Sequence, residues 1–187
     1  MGYAIYLDVN RCVGCQACIV ACMDQNDGET GKEQIAWRQV FVVERGEFPR
    51  VKVNYISLSC MNCQDAPCLM ICPTRAISME EYTGIILVDA RRCIGCHSCA
   101  LVCPFGVPRF GQDGKMQKCN LCIERIKQAL EPACVRACPA KALQFGPVNE
   151  LLHQVEGQVA ARMADATSCL MVGKITSKSR NSQLPSA

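Results

Sequence analysis

Large aromatic side chains are scarce in this sequence: they make up 5% of its 187 residues, and Trp37 is the single tryptophan. Such side chains bury the most area per residue, so something other than apolar packing is expected to fill part of the interior. Long apolar runs are also missing. No stretch reaches the 18 or so residues that a membrane-spanning helix needs, so no direct membrane span is expected. The first residues, Met1-Gly2-Tyr3-Ala4-Ile5-Tyr6-Leu7-Asp8, show no basic segment, apolar core or twin arginine. A cytoplasmic location is the expectation, the alternative being periplasmic by co-export on a partner's signal. Neither sign of charge dominates: the formal net charge is +3, too small for a nucleic-acid-binding stripe. With 20% charged and 50% hydrophobic residues, wholesale disorder is excluded. No Ser/His/Asp set, phosphate-binding loop or dinucleotide fingerprint occurs, so the chain is expected to be non-catalytic.

Cysteine is what the sequence has in excess. There are 17, and 16 of them fall into four groups. The first is Cys12-x2-Cys15-x2-Cys18-x3-Cys22, and the second Cys60-x2-Cys63-x4-Cys68-x3-Cys72 followed by Pro73. Cys93-x2-Cys96-x2-Cys99-x3-Cys103 with Pro104 forms the third. The fourth is Cys119-x2-Cys122, then eleven residues, then Cys134-x3-Cys138 with Pro139. Only Cys169 is left over. An odd total fits a pure disulfide framework poorly, and thiols this dense in a reducing compartment read as metal ligands.

The spacing suits an iron–sulfur cubane. Three thiolates at short intervals on a curled loop reach three irons on one side of the cube. The fourth starts a helix leading away, and in two-cluster ferredoxins it ligates the other cluster. Gly14 and Gly95, each between the first two cysteines of its group, let the backbone pass close to sulfur. Pro73, Pro104 and Pro139 redirect the chain after the last ligand. Zinc is the rival: Cys119 and Cys122 with Cys134 and Cys138 would suit one tetrahedral ion. The tight three-cysteine loops would not. Sixteen thiolates on four oxidised cubanes, each about −2, bring the holoprotein to about −5, which removes the remaining case for nucleic acid.

Tyr3–Asp8 and Gly84–Asp89 read as strands leading into groups one and three. Each ends in Asp shortly before an Arg-Cys pair, an internal repeat of one two-cluster unit. Between groups one and two, Arg38–Glu44 and Val51–Ile56 flank a turn at Arg45–Pro49 and read as a hairpin. Short helices are expected after Cys18, Cys68, Cys99 and Cys134, and over Cys122–Leu130. From Gly146, Val148, Leu151, Leu152, Val155, Val159 and Met163 follow helical spacing, and from Ser177 a loose tail is expected. His97, inside group three, reads as tuning a cluster or as exposed; His153 reads as a surface residue and Cys169 as an inert thiol. Lys115, Lys118, Arg125 and Lys127 read as facing solvent or an acidic partner.

These four groups in this order resemble the electron-transfer subunits of molybdenum and tungsten pterin oxidoreductases, of the dimethyl-sulfoxide reductase iron–sulfur type. Similar small subunits occur with tungsten aldehyde oxidoreductases. The resemblance covers about residues 3–146 and rests on Cys60–Pro73, on Cys93–Pro104 with Phe105-Gly106, and on Lys118-Cys119-Asn120-Leu121-Cys122 reaching Pro132-Ala133-Cys134. It implies an α+β fold, a duplicated two-[4Fe-4S] ferredoxin with one unit nested in the other, a β-hairpin insertion and a C-terminal helical tail. The expected domains are 1–146, with one half-unit of 1–56 plus 113–146 around another of 57–112, and a tail of 147–187. It also implies that groups one and four share two clusters and groups two and three the other two. With helix direction, the ligand sets become Cys12, Cys15, Cys18 and Cys138; Cys22, Cys119, Cys122 and Cys134; Cys60, Cys63, Cys68 and Cys103; and Cys72, Cys93, Cys96 and Cys99. The implied cofactors are four [4Fe-4S] clusters, since Cys99 stands where one branch has tryptophan. The implied partners are a large pterin-containing catalytic subunit and a further redox or membrane-anchor subunit; the chain itself lacks the C-terminal membrane segment of formate dehydrogenase relatives. The alternative is a free-standing polyferredoxin, a soluble carrier or a self-associating, conducting homo-oligomer.

Overall fold

The computed structural model describes residues 2–26, 35–153 and 169–172. It is a mixed helix and strand structure in which short elements hold long loops in place. Strand β1 (Tyr3–Asp8) leads into the first cysteine group and α1 (Ala17–Asn26) leads out of it. Strands β2 (Gln39–Arg45) and β3 (Lys52–Leu58) pair antiparallel from Gln39 opposite Leu58 to Arg45 opposite Lys52. Then come α2 (Pro67–Met70), β4 (Ile77–Met79), β5 (Ile86–Val88) and α3 (Ser98–Leu101). The small β6 (Arg109–Phe110) and β7 (Met116–Gln117) precede α4 (Ile123–Lys127) and α5 (Ala133–Arg136). Strand β8 (Leu143–Pro147), α6 (Val148–His153) and β9 (Cys169–Val172) complete the described chain.

Two strand pairs organise the cysteine loops. β1 runs antiparallel to β8, so the strand before group one lies beside the strand after group four. β4 runs antiparallel to β5, which joins the exit from group two to the entry of group three. The two junctions match bond for bond. The Asp8 N–H donates to Ala142 O at 2.8 Å, and the Asp89 N–H to Ala76 O at 2.8 Å. Each aspartate then caps its own turn, accepting at Oδ1 from the Asn10 or Arg91 N–H at 2.9 Å. Asp therefore recurs before each Arg-Cys pair because a short carboxylate can hydrogen-bond its own backbone two residues on.

The apolar face of β1 supplies the largest core. Ile5 and Leu7 pack with Leu143, Leu121, Ile123, Val135 and Ile85, and buried sulfurs of Cys18, Cys60, Cys119, Cys134 and Cys138 belong to the same cluster. Ala76-Ile77 and Ala142-Leu143 follow their Cys-Pro pairs at equal distance, so β4 and β8, two of the strands the sequence did not announce, carried a repeat signal of their own.

Several expectations need correction. The helical turns begin before the third cysteine of a group rather than at the fourth: α1 contains both Cys18 and Cys22, while α2, α3 and α5 end before Cys72, Cys103 and Cys138. The helix expected over Cys122–Leu130 stops at Lys127, where Ala129 adopts a left-handed conformation (φ 57°) that an α-helix cannot continue through. The chain after α6 also returns to the sheet: β9 pairs parallel with the free edge of β1, Ile5 opposite Cys169. Val155, Val159, Met163 and the segment from Ser177 lie outside the described residues. Among the described residues no helix is long and apolar enough to cross a membrane.

Burial predicts the cost of truncation. Ile5→Ala, at 2% exposure in the largest core, should destabilise the protein by about 2–5 kcal/mol. Val42→Ala, at 59% exposure on β2, should change stability by less than about 0.5 kcal/mol. Denaturation followed by far-ultraviolet circular dichroism distinguishes the two; equal losses would contradict this core.

Candidate metal centre

Each cysteine group is one loop followed by one helical turn. The third and fourth cysteines are four residues apart in every group: Cys18 and Cys22, Cys68 and Cys72, Cys99 and Cys103, Cys134 and Cys138. Four residues advance a helix by about 6 Å. That step carries the fourth thiol away from the loop that holds the first three.

The cavities show where it goes. Cys12, Cys15 and Cys18 line one cavity together with Cys138. Cys119, Cys122 and Cys134 line another with Cys22. A third is lined by Cys93, Cys96, Cys99 and Cys72. The remaining four thiols are electrostatic neighbours: Cys63 with Cys60 and Cys103, and Cys68 with Cys63 and Cys103. Each of the three cavities is thus lined by thiols from two groups, and Cys103 neighbours Cys63 and Cys68. Neighbouring sets also touch electrostatically, Cys60 with Cys119 and Cys99 with Cys68.

The loops aim N–H groups at sulfur. Asn62 and Leu121, each two residues past a first cysteine, donate backbone N–H to Cys60 and Cys119 Sγ at 3.4 Å. Ala76 and Ala142 do the same for Cys72 and Cys138 at 3.3 Å, and Met116 for Cys93 at 3.4 Å. Side chains add to this: Asn26 Nδ2 donates to Cys22 Sγ at 3.6 Å, and the Ser57 hydroxyl lies 3.4 Å from Cys18 Sγ. To bend this way the backbone takes left-handed conformations at Gln16, Asn62, His97 and Leu121, and at Gly14 and Gly95. Donors pointed at sulfur stabilise a thiolate over a thiol.

Burial works in the opposite direction. It pushes the Cys22 thiol up to about 12, and Cys99 and Cys122 up to about 11, chiefly through desolvation. Cys60 and Cys134 are raised for the same first reason. At Cys72 burial also raises the thiol, yet hydrogen bonds from the Thr74 hydroxyl and the Ala76 and Ile77 backbones bring it below its ordinary value. Cys96, fully exposed, is lowered by the Ser98 hydroxyl and backbone. Buried sulfurs prepared by N–H donors but costly to ionise alone need a cationic centre to bind as thiolates. Each of the three cavities presents four thiols, the number of protein ligands that a [4Fe-4S] cluster takes.

Among residues outside the ligand sets, the structure separates cases that looked alike in sequence. Lys118 is a correction: it is 4% exposed, not solvent-facing, and donates to Ile86 O, to Cys119 O at 3.0 Å and to Asn62 Oδ1 at 3.4 Å. Its carbonyl partners lie behind the cavity wall, and a lysine beside a ligand cysteine gives no sequence sign of this. Arg38, Ser57, Ser59 and Asn62 are also buried and had no motif to announce them. Lys127 does face solvent, pairing with Glu124 at 3.0 Å, and Arg125 Nε donates to Glu131 O at 2.8 Å. His97 is exposed, stacks on Phe110 with ring centres 3.8 Å apart and lines the cavity of Cys72. His153 is exposed at the end of α6.

Comparison with known proteins gives a consistent picture. Residues 51–148 match the family described as a 4Fe-4S dicluster domain. The chain is 36% identical to the probable anaerobic dimethyl sulfoxide reductase chain YnfG of Escherichia coli, over 85% of this chain and 80% of that one. It is 40% identical to the thiosulfate reductase electron transfer subunit PhsB of Salmonella typhi, over 79% and 77%. To a sulfite dehydrogenase subunit of Allochromatium vinosum it is 33% identical, over 97% and 82%.

The glycines of the loops give a test of the geometry. Gly95 and Gly84 both have left-handed φ, 67° and 70°. A Cβ at Gly95 would lie 2.6 Å from the Gly114 carbonyl oxygen, whereas at Gly84 it would meet nothing within 4 Å. Gly84→Ala should therefore cost only about 1 kcal/mol of backbone strain and leave metal content unchanged. Gly95→Ala should displace the loop of Cys93 and Cys96 and lower the iron bound per chain. Equal iron in both variants would refute this account of the loop.

Proposed function

Because this chain belongs to the iron–sulfur electron-transfer subunits of molybdopterin enzymes, we propose that it relays electrons between a pterin-containing catalytic subunit and a second redox partner. Its cofactors are [4Fe-4S] clusters, and sixteen grouped cysteines supply ligands for four. Each cluster, when bound, accepts and returns one electron at a time. The chain's own residues do the rest. Thiolates fix the clusters, backbone N–H groups partly neutralise sulfur, and the apolar walls exclude water, all of which tune potential.

The ligand sets are crossed: Cys138 with Cys12, Cys15 and Cys18; Cys22 with Cys119, Cys122 and Cys134; Cys103 with Cys60, Cys63 and Cys68; Cys72 with Cys93, Cys96 and Cys99. The observation that carries this reading is the lining of the cavities, where the fourth thiol always comes from a different group than the other three. The strand pairs support it too, since β1 with β8 encloses β4 with β5. One ferredoxin-like unit is then nested inside another, with the β2–β3 hairpin inserted between them. The chain works inside a complex and turns over no substrate itself. The relatives named as parts of dimethyl sulfoxide reductase, thiosulfate reductase and sulfite dehydrogenase support a catalytic subunit that carries the substrate chemistry. A cytoplasmic location remains the proposal, with co-export on a partner's signal as the other route.

The loaded chain should contain about sixteen irons and sixteen labile sulfides, bleach with dithionite, and show no substrate reduction without its partner. Stoichiometric zinc with little sulfide would defeat the reading. Crossed ligation has a sharper test. Cys12→Ser and Cys138→Ser should perturb the same electron paramagnetic resonance signal, and Cys22→Ser a different one. If Cys12→Ser and Cys22→Ser instead share a signal that Cys138→Ser leaves untouched, each group holds its own cluster.

A further inference from the structure

Among the described residues, two side chains that carry positive charge are buried: Arg38 at 2% exposure and Lys118 at 4%. Such groups rarely lie inside unless something compensates them, and both occupy walls between thiol sets.

Arg38 lines the cavity of Cys22, Cys119, Cys122 and Cys134. Its Nη1 donates to the Ser57 hydroxyl at 3.0 Å and its Nη2 to the Ser59 hydroxyl at 2.8 Å. Ser57 in turn lines the cavity of Cys12, Cys15, Cys18 and Cys138, with its oxygen 3.4 Å from Cys18 Sγ. The Arg38–Ser57 pair is thus a partition between those two cavities. Lys118 occupies the next one. It donates to the Cys119 carbonyl on one side and, on the other, to Asn62 Oδ1, whose own backbone N–H donates to Cys60 Sγ. Its three hydrogen bonds all run to neutral oxygens. Neither side chain lines the cavity of Cys72, Cys93, Cys96 and Cys99.

We propose that Arg38 and Lys118 are potential-setting residues that make the cluster held by Cys22, Cys119, Cys122 and Cys134 easier to reduce than its ligands alone would, because both buried charges flank it. The proposal rests on the crossed ligand sets above. Each charge also reaches one outer neighbour: Arg38 the set of Cys12, and Lys118 the set of Cys60. The cavity of Cys72 is lined by neither, so its set is the least affected. A fixed positive charge in a poorly screened interior favours the reduced, more negative form of a nearby group.

The test is potentiometric titration of the loaded chain, followed by electron paramagnetic resonance, for Lys118→Met, Arg38→Gln and the charge-preserving Lys118→Arg and Arg38→Lys. Each neutral variant should lower two of four potentials, with about a tenfold weaker reduction equilibrium, or about 59 mV for one electron. The potential lowered by both should be the one that Cys22→Ser perturbs. The potential lowered by neither should be the one that Cys96→Ser perturbs. The charge-preserving variants should stay within about threefold of the unsubstituted chain. Unchanged potentials in both neutral variants, or two pairs with no common member, would overturn the proposal. Where a neutral variant loses iron, its charge-preserving counterpart decides: retained potentials support the proposal, and a tenfold fall with the charge kept defeats it. Failure of the crossed reading is separate, because it shows in the Cys12, Cys22 and Cys138 variants before any charge is altered.

Discussion

One helical turn separates the third and fourth thiols of every cysteine group, and the rest of the structure follows from that step. It moves the fourth sulfur out of its own loop's cavity and into the wall of the next. In three cavities the thiol beside such a trio comes from a different group. The pairing of β1 with β8 brings groups one and four together, and that of β4 with β5 groups two and three. Large aromatic side chains are few, and buried thiols take their place in the interior. Ile5, Leu7 and Leu143 fill what lies between the loops and the sheet.

Burial and hydrogen bonding act on these sulfurs with opposite signs, and both are needed. Desolvation alone would keep Cys22 and Cys122 as neutral thiols. Backbone N–H groups alone, on open loops, would leave the sulfurs to water and oxidants. Together they make sites that are poor hosts for protons and good hosts for a cationic centre. The left-handed residues around the loops are the conformational cost of turning N–H groups inward, and they recur at matching places in the two halves: Gln16 with His97, Asn62 with Leu121, Arg75 with Lys141.

Much of this was legible in the cysteine spacing, because a ligand must be a particular residue at a particular interval. The strand before group one was legible for a similar reason: Tyr3–Asp8 is a short apolar and aromatic run that ends in a turn-forming aspartate. The features that were not legible share one property, that their roles depend on distant partners. β4 and β8 are short and become strands by pairing with β5 and β1. Cys169 looked like an isolated thiol, yet its backbone joins the sheet edge. Lys118 resembled other surface lysines until Ile86, Cys119 and Asn62 enclosed it. Asn62 and Leu121 occupy equivalent loop positions with the same N–H to sulfur bond, but only Asn62 carries a side-chain oxygen that can hold that lysine.

The pairing of β1 with β8 also sets a timetable. The cavity around Cys12 lacks its fourth wall until Cys138 has been synthesised, 126 residues later. Groups two and three are complete once Cys103 has emerged. During translation, which proceeds from the N-terminus, the inner pair of sites can close while the outer pair is still open. The earliest thiols to leave the ribosome are thus among the last to find their partners. Throughout that interval they are exposed to oxidation, and the outer half of the molecule depends on a long-range closure that comes late in folding.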